Sequence, residues 1–212
     1  MTAVLNPTEQ KVVLEDVSWQ TYEQLLAEFA DRSTPRLTYD RGTLEIMSPT
    51  ARHEELNRNL SLVVTILAAA LGLDVRNLGS TTFRREDLAR GFEPDSCFYV
   101  EHESAVRGKA KIDLAQDPPP DLLIEIDITS GSLDKFSIYR QVGVPEIWRY
   151  DGHRLTVHQL AGDAYRESET SRVFRGVEAA DLARLLQESL SRPSTEWLRS
   201  LQAWADAQKP ND

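Results

Sequence analysis

Two short apolar runs in this chain each carry acids where a buried strand should have none. The first is Gly91-Phe-Glu-Pro-Asp95-Ser-Cys-Phe-Tyr-Val100. The second is Pro120-Asp-Leu-Leu-Ile-Glu125-Ile-Asp127, with Asp134-Lys135 a few residues on. Pro94 suits the start of a strand, where its missing N–H matters least. Ser96 to Val100 then reads as a strand, since Cys, Phe, Tyr and Val fit a packed sheet. Asp121 to Ile128 reads as a second. Side chains alternate along a strand, so Glu125 and Asp127 share one face while Ile124, Ile126 and Ile128 share the other. Carboxylates are rarely buried unless paired or bound to a cation, so a positive group is expected beside Glu125.

Lys135 is the candidate. Ser132 can cap a helix that begins at Leu133 and runs to about Gly143. Phe136, Ile138, Tyr139 and Val142 form its apolar arc, and Lys135 falls inside that arc. It also lies in the first turn, where the helix dipole disfavours a cation. A neighbouring carboxylate cluster accounts for both departures.

The remaining chain supplies a scaffold. Met1 to Asp16 reads as loosely ordered. Ser18 caps a helix to about Ala30, and Arg36–Tyr39 with Thr43–Met47 forms a hairpin turning at Asp40-Arg41-Gly42. His53 to Leu71 is the clearest helix, with Leu56, Leu60, Val63, Val64, Leu67 and Leu71 at helical spacing and Gly72 closing it. Asp74 to Arg85 holds strand material. Val144–Tyr150 and Leu155–Leu160 flank an Asp151-Gly152 hairpin signal, and Phe174 ends a further strand. Helices follow at Ala179–Glu188 and Thr195–Ala207. With 212 residues and no internal boundary, this is read as one domain over residues 1–212, with C-terminal helices over 179–208.

Charge and cysteine content narrow the function. A net charge of −10, from 24 Lys and Arg against 34 Asp and Glu, is the wrong sign for a protein that simply coats nucleic acid. It is compatible with local phosphate contacts. Arg84, Arg85 and Arg90, with Arg107, Lys109 and Lys111, are candidates, beside the plainer reading of a solvated charged loop. The single cysteine, Cys97, rules out an internal disulfide framework and suits a reducing cytoplasm. No secretory leader or membrane-spanning run is visible, so a cytoplasmic chain without a membrane partner is expected.

The chain has no Walker A loop, dinucleotide glycine pattern, zinc-type cysteine pair or Gly-x-Ser-x-Gly elbow. His53-Glu54-Glu55 falls short of a zinc-protease helix, because Asn57 stands at the second histidine position. What remains is oxygen chemistry: Asp95, Glu125 and Lys135, with Asp127 behind them. Such donors suit Mg²⁺ or Mn²⁺, and that combination points to phosphodiester hydrolysis. Beside it stands a plainer alternative, in which Asp95 and Glu125 end strands and Lys135 is their ion-pair partner. His53 shares a face with Leu56 and Leu60 and reads as structural. Glu45 reads as an outward, solvated residue of its hairpin.

In order along the chain stand Leu44-Glu-Ile-Met-Ser-Pro, His53, Glu-Pro-Asp95, Asp-Leu-Leu-Ile-Glu125, Asp134-Lys135 through Tyr139-Arg, and Gly143-Val-Pro-Glu-Ile-Trp. This set resembles a large bacterial restriction-endonuclease-like family, long catalogued as a domain of unknown function, within the PD-(D/E)XK nuclease superfamily. The resemblance covers about Trp19 to Leu160. It implies an α/β fold with a mixed central sheet flanked by helices and additional hairpins. It also implies a divalent metal and a nucleic-acid substrate, DNA first. By this resemblance Asp95 and Glu125 are the metal-binding acids. Asp127 stands where the superfamily's simplest pattern has a lysine, and Lys135 supplies that lysine from the following helix. Glu45 and Glu54 are the upstream candidates for a further acid. Cutting both strands of a duplex takes two sites, so a homodimer is one expectation. A catalytically inactive nuclease-fold binding module is the alternative.

Overall fold

The computed structural model describes residues 10–30, 32, 34–128 and 133–209. Among the described residues eleven strands and six helices follow one another, with a 3-10 turn between the fifth and sixth strands. The chain begins with β1 (Gln10–Leu14), α1 (Trp19–Glu28), β2 (Arg36–Asp40), β3 (Thr43–Ser48) and α2 (Ala51–Leu71). Then come β4 (Arg76–Gly79), β5 (Phe83–Arg85), β6 (Arg90–Phe92), β7 (Ser96–Tyr99), α3 (Glu103–Val106) and β8 (Leu122–Ile126). It ends with α4 (Lys135–Val142), β9 (Glu146–Tyr150), β10 (Leu155–Ala161), β11 (Ala164–Ser168), α5 (Ala179–Ser191) and α6 (Ser194–Asp206).

The central sheet has six strands in the order β11-β10-β9-β8-β7-β4. It is mixed: β8 and β9 run parallel, and the other pairings are antiparallel. The parallel step is the one joined by α4, as a parallel pair requires a crossover connection. The two acidic runs are thus neighbours, with Ser96 opposite Ile124 and Phe98 opposite Leu122.

Each face of this sheet is covered. On one, Ile124, Ile126, Phe98 and Trp148 pack against α2, α5 and α6 through residues such as Leu60, Leu185 and Trp197. On the other, Cys97, Tyr99, Leu123 and Ile147 meet Ile138 and Tyr139 of α4. Every residue of β8 is buried, which explains why the run is almost wholly aliphatic.

A second sheet, β1-β3-β2-β6-β5, stands beside the first. Tyr22 of α1 packs on its outer face against Leu37, Tyr39 and Leu44. Alternation sends Arg36, Thr38, Glu45 and Met47 to the opposite face, in register as Arg36 with Met47 and Thr38 with Glu45. β1 extends that face, setting Lys11 beside Met47 and Val13 beside Glu45.

The structure corrects several expectations. Residues Gln10–Leu14 of the supposedly loose N-terminus form an edge strand on β3; residues 1–9 lie outside the described residues. The α4 helix begins at Lys135, not Leu133, and its N-cap Asp134 makes no side-chain cap bond. Ser132 lies outside the described residues. Phe174 ends no strand; it is a buried residue of the turn after β11, and its carbonyl accepts from the Val177 N–H. Among the described residues no helix is long and apolar enough to cross a membrane.

α1 is seated on the second sheet by a close approach. A Cβ built on Gly91 would stand 2.1 Å from the Tyr22 hydroxyl and 2.6 Å from its ring. Tyr22 is wholly buried and has no room to retreat. Gly91→Ala is therefore expected to destabilise the protein by about 1–3 kcal/mol, read as a lower urea midpoint at unchanged slope. Among the described residues the Tyr22 hydroxyl finds no hydrogen-bond partner. Tyr22→Phe should thus be close to neutral in the wild-type background.

Candidate functional site

The acids of the two central strands sit where the second sheet abuts the end of the first. Glu125 is 5% exposed, on the α4 face of β8. Its Oε2 accepts from Lys135 Nζ at 3.1 Å, and its Oε1 accepts from the Tyr139 hydroxyl at 2.6 Å. Both donors come from α4 at i and i+4, which places them on one helix face. A carboxylate held by two donors from one rigid element has a fixed plane.

The charge on Lys135 is set by competing effects. Burial lowers its proton affinity, but the carboxylates of Glu125 and Glu45, with the hydrogen bond to Glu125, raise it further, so it lies above the ordinary lysine value. Tyr139 is driven well above the usual phenol range by burial and then by Glu125, so it stays a proton donor at neutral pH.

Glu45 was expected on a solvated face. It is instead 2% exposed. Its face of β3, shared with Met47, turns toward Glu125 and Lys135 and not to open solvent. Together with Glu125, Asp127 and Lys135, Glu45 lines a cavity of about 350 Å³, walled in part by Leu133 and Phe136.

Asp95 occupies an adjoining position. Continuing the β7–β8 register one step sets it opposite Glu125. Its carboxylate is 1% exposed and occupied: Oδ2 accepts from the Ile126 N–H at 2.7 Å, and Oδ1 takes the Arg36 guanidinium. His53 Nε2 lies 2.8 Å from the same Oδ1, and with its proton there it donates to Asp95. Arg36 also binds Glu54, so the predicted Asp95, His53 and Glu54 meet around one arginine. Arg36 further opposes the charge on Lys135, which ties the two clusters together. His53 is fully buried between α2 and the strand end, at the place its apolar helix neighbours suggested.

Asp127 lies at the mouth of the cavity. Lys11 Nζ stands 3.4 Å from its Oδ1, and Arg149 donates to its Oδ2 at 2.7 Å. Arg36, Lys11 and Arg149 were all missed from the sequence. Arg36 had one signal: it alternates with Leu37 and Tyr39, and so falls on the inward face with Thr38.

The basic residues flagged around the first acidic strand behave otherwise. Arg90 is buried on Asp40. Arg85 pairs with Asp87, Arg107 with Glu103 and Asp74, and Lys109 with Asp117. A wider cleft of about 1120 Å³ runs between α1 and β5, and there Arg84 is matched by Glu23.

A family model described as "Putative restriction endonuclease", Uma2, matches residues 19–195. The chain belongs to the Uma2 family. The matched span runs from the start of α1 through α5. A solved structure titled as a putative nuclease belonging to DUF820, from Anabaena variabilis ATCC 29413, is 15% identical, with a TM-score of 0.44. The alignment covers 85% of this chain and 98% of that one. No curated protein matches.

Families of this restriction-endonuclease type use divalent metals, and the donors here can be tested for fit. Among the described residues no three acidic, histidine or cysteine side chains converge as a ready metal cluster. The carboxylates that face the cavity are hard oxygen donors beside the Lys135 ammonium. This suits Mg²⁺, which takes one or two carboxylates and completes its shell with water and substrate phosphate. Glu125, held by Lys135 and Tyr139, and Asp95, once Arg36 yields Oδ1, fit that role, with Glu45 facing the same cavity.

The Lys135–Glu125 pair gives a pH prediction. Because the folded proton affinity of Lys135 is raised, its stabilising contribution is complete below lysine's unfolded value of about 10.4 and is lost as pH climbs through the higher folded value. Wild type should melt above Lys135→Met at neutral pH, and the gap should close above about pH 10. Lys135 is 16% exposed, and Tyr139 still holds Glu125 in the mutant. The gap at neutral pH should therefore fall below the ~3–5 kcal/mol of a fully buried broken pair. Melting curves of both proteins from pH 7 to pH 11.5 check this.

Proposed function

We propose that this protein is a metal-dependent endonuclease that hydrolyses phosphodiester bonds of nucleic acid, with Asp95, Glu125 and Lys135 as its working residues. The observation that carries this reading is the Lys135 ammonium, held 3.1 Å from Glu125 and facing Glu45 in an open cavity. A cation on the apolar side of a first helical turn, where the dipole opposes it, is retained at a cost that a purely structural residue would avoid. Membership of the Uma2 family supports the same chemistry.

Glu125 and Asp95 would hold the ion, with Glu45 as a further acid. A divalent ion bound there lowers the pKa of a bound water and offsets charge on the phosphoryl oxygens. Tyr139 keeps Glu125 oriented and, as a neutral phenol, adds no negative charge. Lys135 has three N–H donors. One is engaged by Glu125, and the others are available to a non-bridging phosphoryl oxygen or to the attacking water. His53 and the Ile126 N–H fix the Asp95 carboxylate, so that Arg36 is the partner that must swing away for Oδ1 to bind metal. Arg36 stands near the reaction centre, where its guanidinium suits a phosphate oxygen.

One observation favours a second reading, the inactive binding module: both oxygens of Asp95 are already occupied, by Arg36, His53 and a backbone N–H.

Two measurements separate them. Mg²⁺ or Mn²⁺ should raise the melting temperature of the wild type, since a ligand of the native state stabilises it, and Glu125→Gln should abolish most of that rise. Lys135→Met should remain folded and lose about 10²–10³-fold or more in metal-dependent cleavage of a plasmid substrate. A wild type whose melting ignores both metals and which cleaves nothing rejects the enzyme in favour of the binding module. A folded Lys135→Met that cleaves at the wild-type rate removes Lys135 from the chemistry.

A further inference from the structure

The mouth of the cavity holds a feature that the metal chemistry does not use. Asp127 is bracketed by two cations from different sheets, Lys11 from β1 and Arg149 from β9. Of the other flagged surface cations around the first acidic strand, Arg84, Arg85, Arg107 and Lys109 are each matched by an acid, and Lys111 is exposed. At Asp127 two cations share one carboxylate. In a chain of net charge −10, a polyanion needs local cation contacts of this kind.

We propose that Lys11 and Arg149 form a phosphate clamp that grips the DNA backbone beside the scissile bond, with Asp127 holding both heads in place. The proposal rests on the nuclease reading and names residues that the reading itself does not need. Three observations carry it. Arg149 is in parallel register with Glu125, so its side chain leaves the sheet on the same face and next to the proposed metal-binding acid. Lys11, Arg149 and Asp127 line the same cavity as Glu125 and Lys135. The Arg149 side chain is 36% exposed and that of Asp127 23%, so the pair is open to solvent and to a ligand.

The chemistry suits a phosphodiester. A guanidinium carries five N–H donors in a planar fork, more than the Asp127 carboxylate can take up. The remaining donors match two phosphate oxygens. Lys11 adds a compact charge on the opposite side of Asp127. The Arg149–Asp127 pair is partly exposed and adds little to stability, so Arg149 can be neutralised without loss of the fold, whereas Lys11, 14% exposed, is the more covered of the two cations. Asp127 stands at the position where the superfamily's simplest pattern has a lysine.

The test is DNA binding without turnover. A fluorescent duplex is titrated by anisotropy in EDTA over a series of KCl concentrations, with wild type, Lys11→Gln, Arg149→Gln, Arg149→Lys and Arg154→Gln. Arg154 pairs with Glu167 on an exposed hairpin and serves as the control. Each lost phosphate contact should reduce the magnitude of the slope of log K against log salt by about 0.9. Lys11→Gln and Arg149→Gln should each show that reduction, with affinity weakened alike on unrelated sequences. Arg149→Lys and Arg154→Gln should keep the wild-type slope. If wild type binds the duplex and both glutamine variants keep its slope, the clamp is overturned while the nuclease reading stands. If wild type neither binds DNA in EDTA nor cleaves it with metal, both fall. Should Arg149→Gln fail to fold, Lys11→Gln decides: a reduced slope supports the clamp and an unchanged one overturns it.

Discussion

Two carboxylates buried at one end of a sheet are the constraint on which this structure depends. Removing a carboxylate from water costs several kcal/mol unless charge and hydrogen bonds replace the lost hydration. Asp95 and Glu125 obtain that replacement from four directions. Arg36 comes from the second sheet, His53 from the first turn of α2, Lys135 and Tyr139 from α4, and the Ile126 N–H from the neighbouring strand. Each is delivered by a different element, so the elements must assemble around the acids together.

This requirement explains the second sheet. Its outer face is ordinary, an aromatic cluster of Trp19, Tyr22 and Tyr39 under α1. Its inner face breaks the usual rule for a covered surface, because Arg36 and Glu45 are both nearly fully buried there. They are tolerated because they face charges of opposite sign at the end of the central sheet. Arg36 meets Asp95, and Glu45 acts on the ammonium of Lys135. The hairpin is thus the second wall of the cavity, and α1 holds that wall in position through its contact at Gly91.

The arrangement also divides the work of the cavity. On one side of it Glu125 and Glu45 act on Lys135, the hard-donor setting a divalent cation needs. Its mouth gathers cations around one acid, the environment a phosphate needs. In the proposed reading, these two settings a short distance apart would let a chain of net negative charge accept both a metal ion and an anionic polymer.

Much of this was legible in the residues alone, for a definite reason. Local patterns that depend on neighbours along the chain were sufficient to place α2 with its Gly72 cap, the β2–β3 hairpin, and the two acidic strands. The pairing of Lys135 with Glu125 was legible too, because two local rules failed at one lysine and a nearby strand held an unexplained acid. What the sequence could not decide was the content of a face formed by distant segments. Glu45 looked solvated because alternation gives two faces without saying what covers either. Lys11 lay in a stretch too short and too polar to announce a strand, and only pairing with β3 makes it one. Arg36 and Arg149 read as ordinary strand residues until the second sheet and the β8–β9 crossover set them against Asp95 and Asp127. The acids and their need for counter-charge are written in the chain, whereas the partners that meet that need are fixed by which elements pack together in three dimensions.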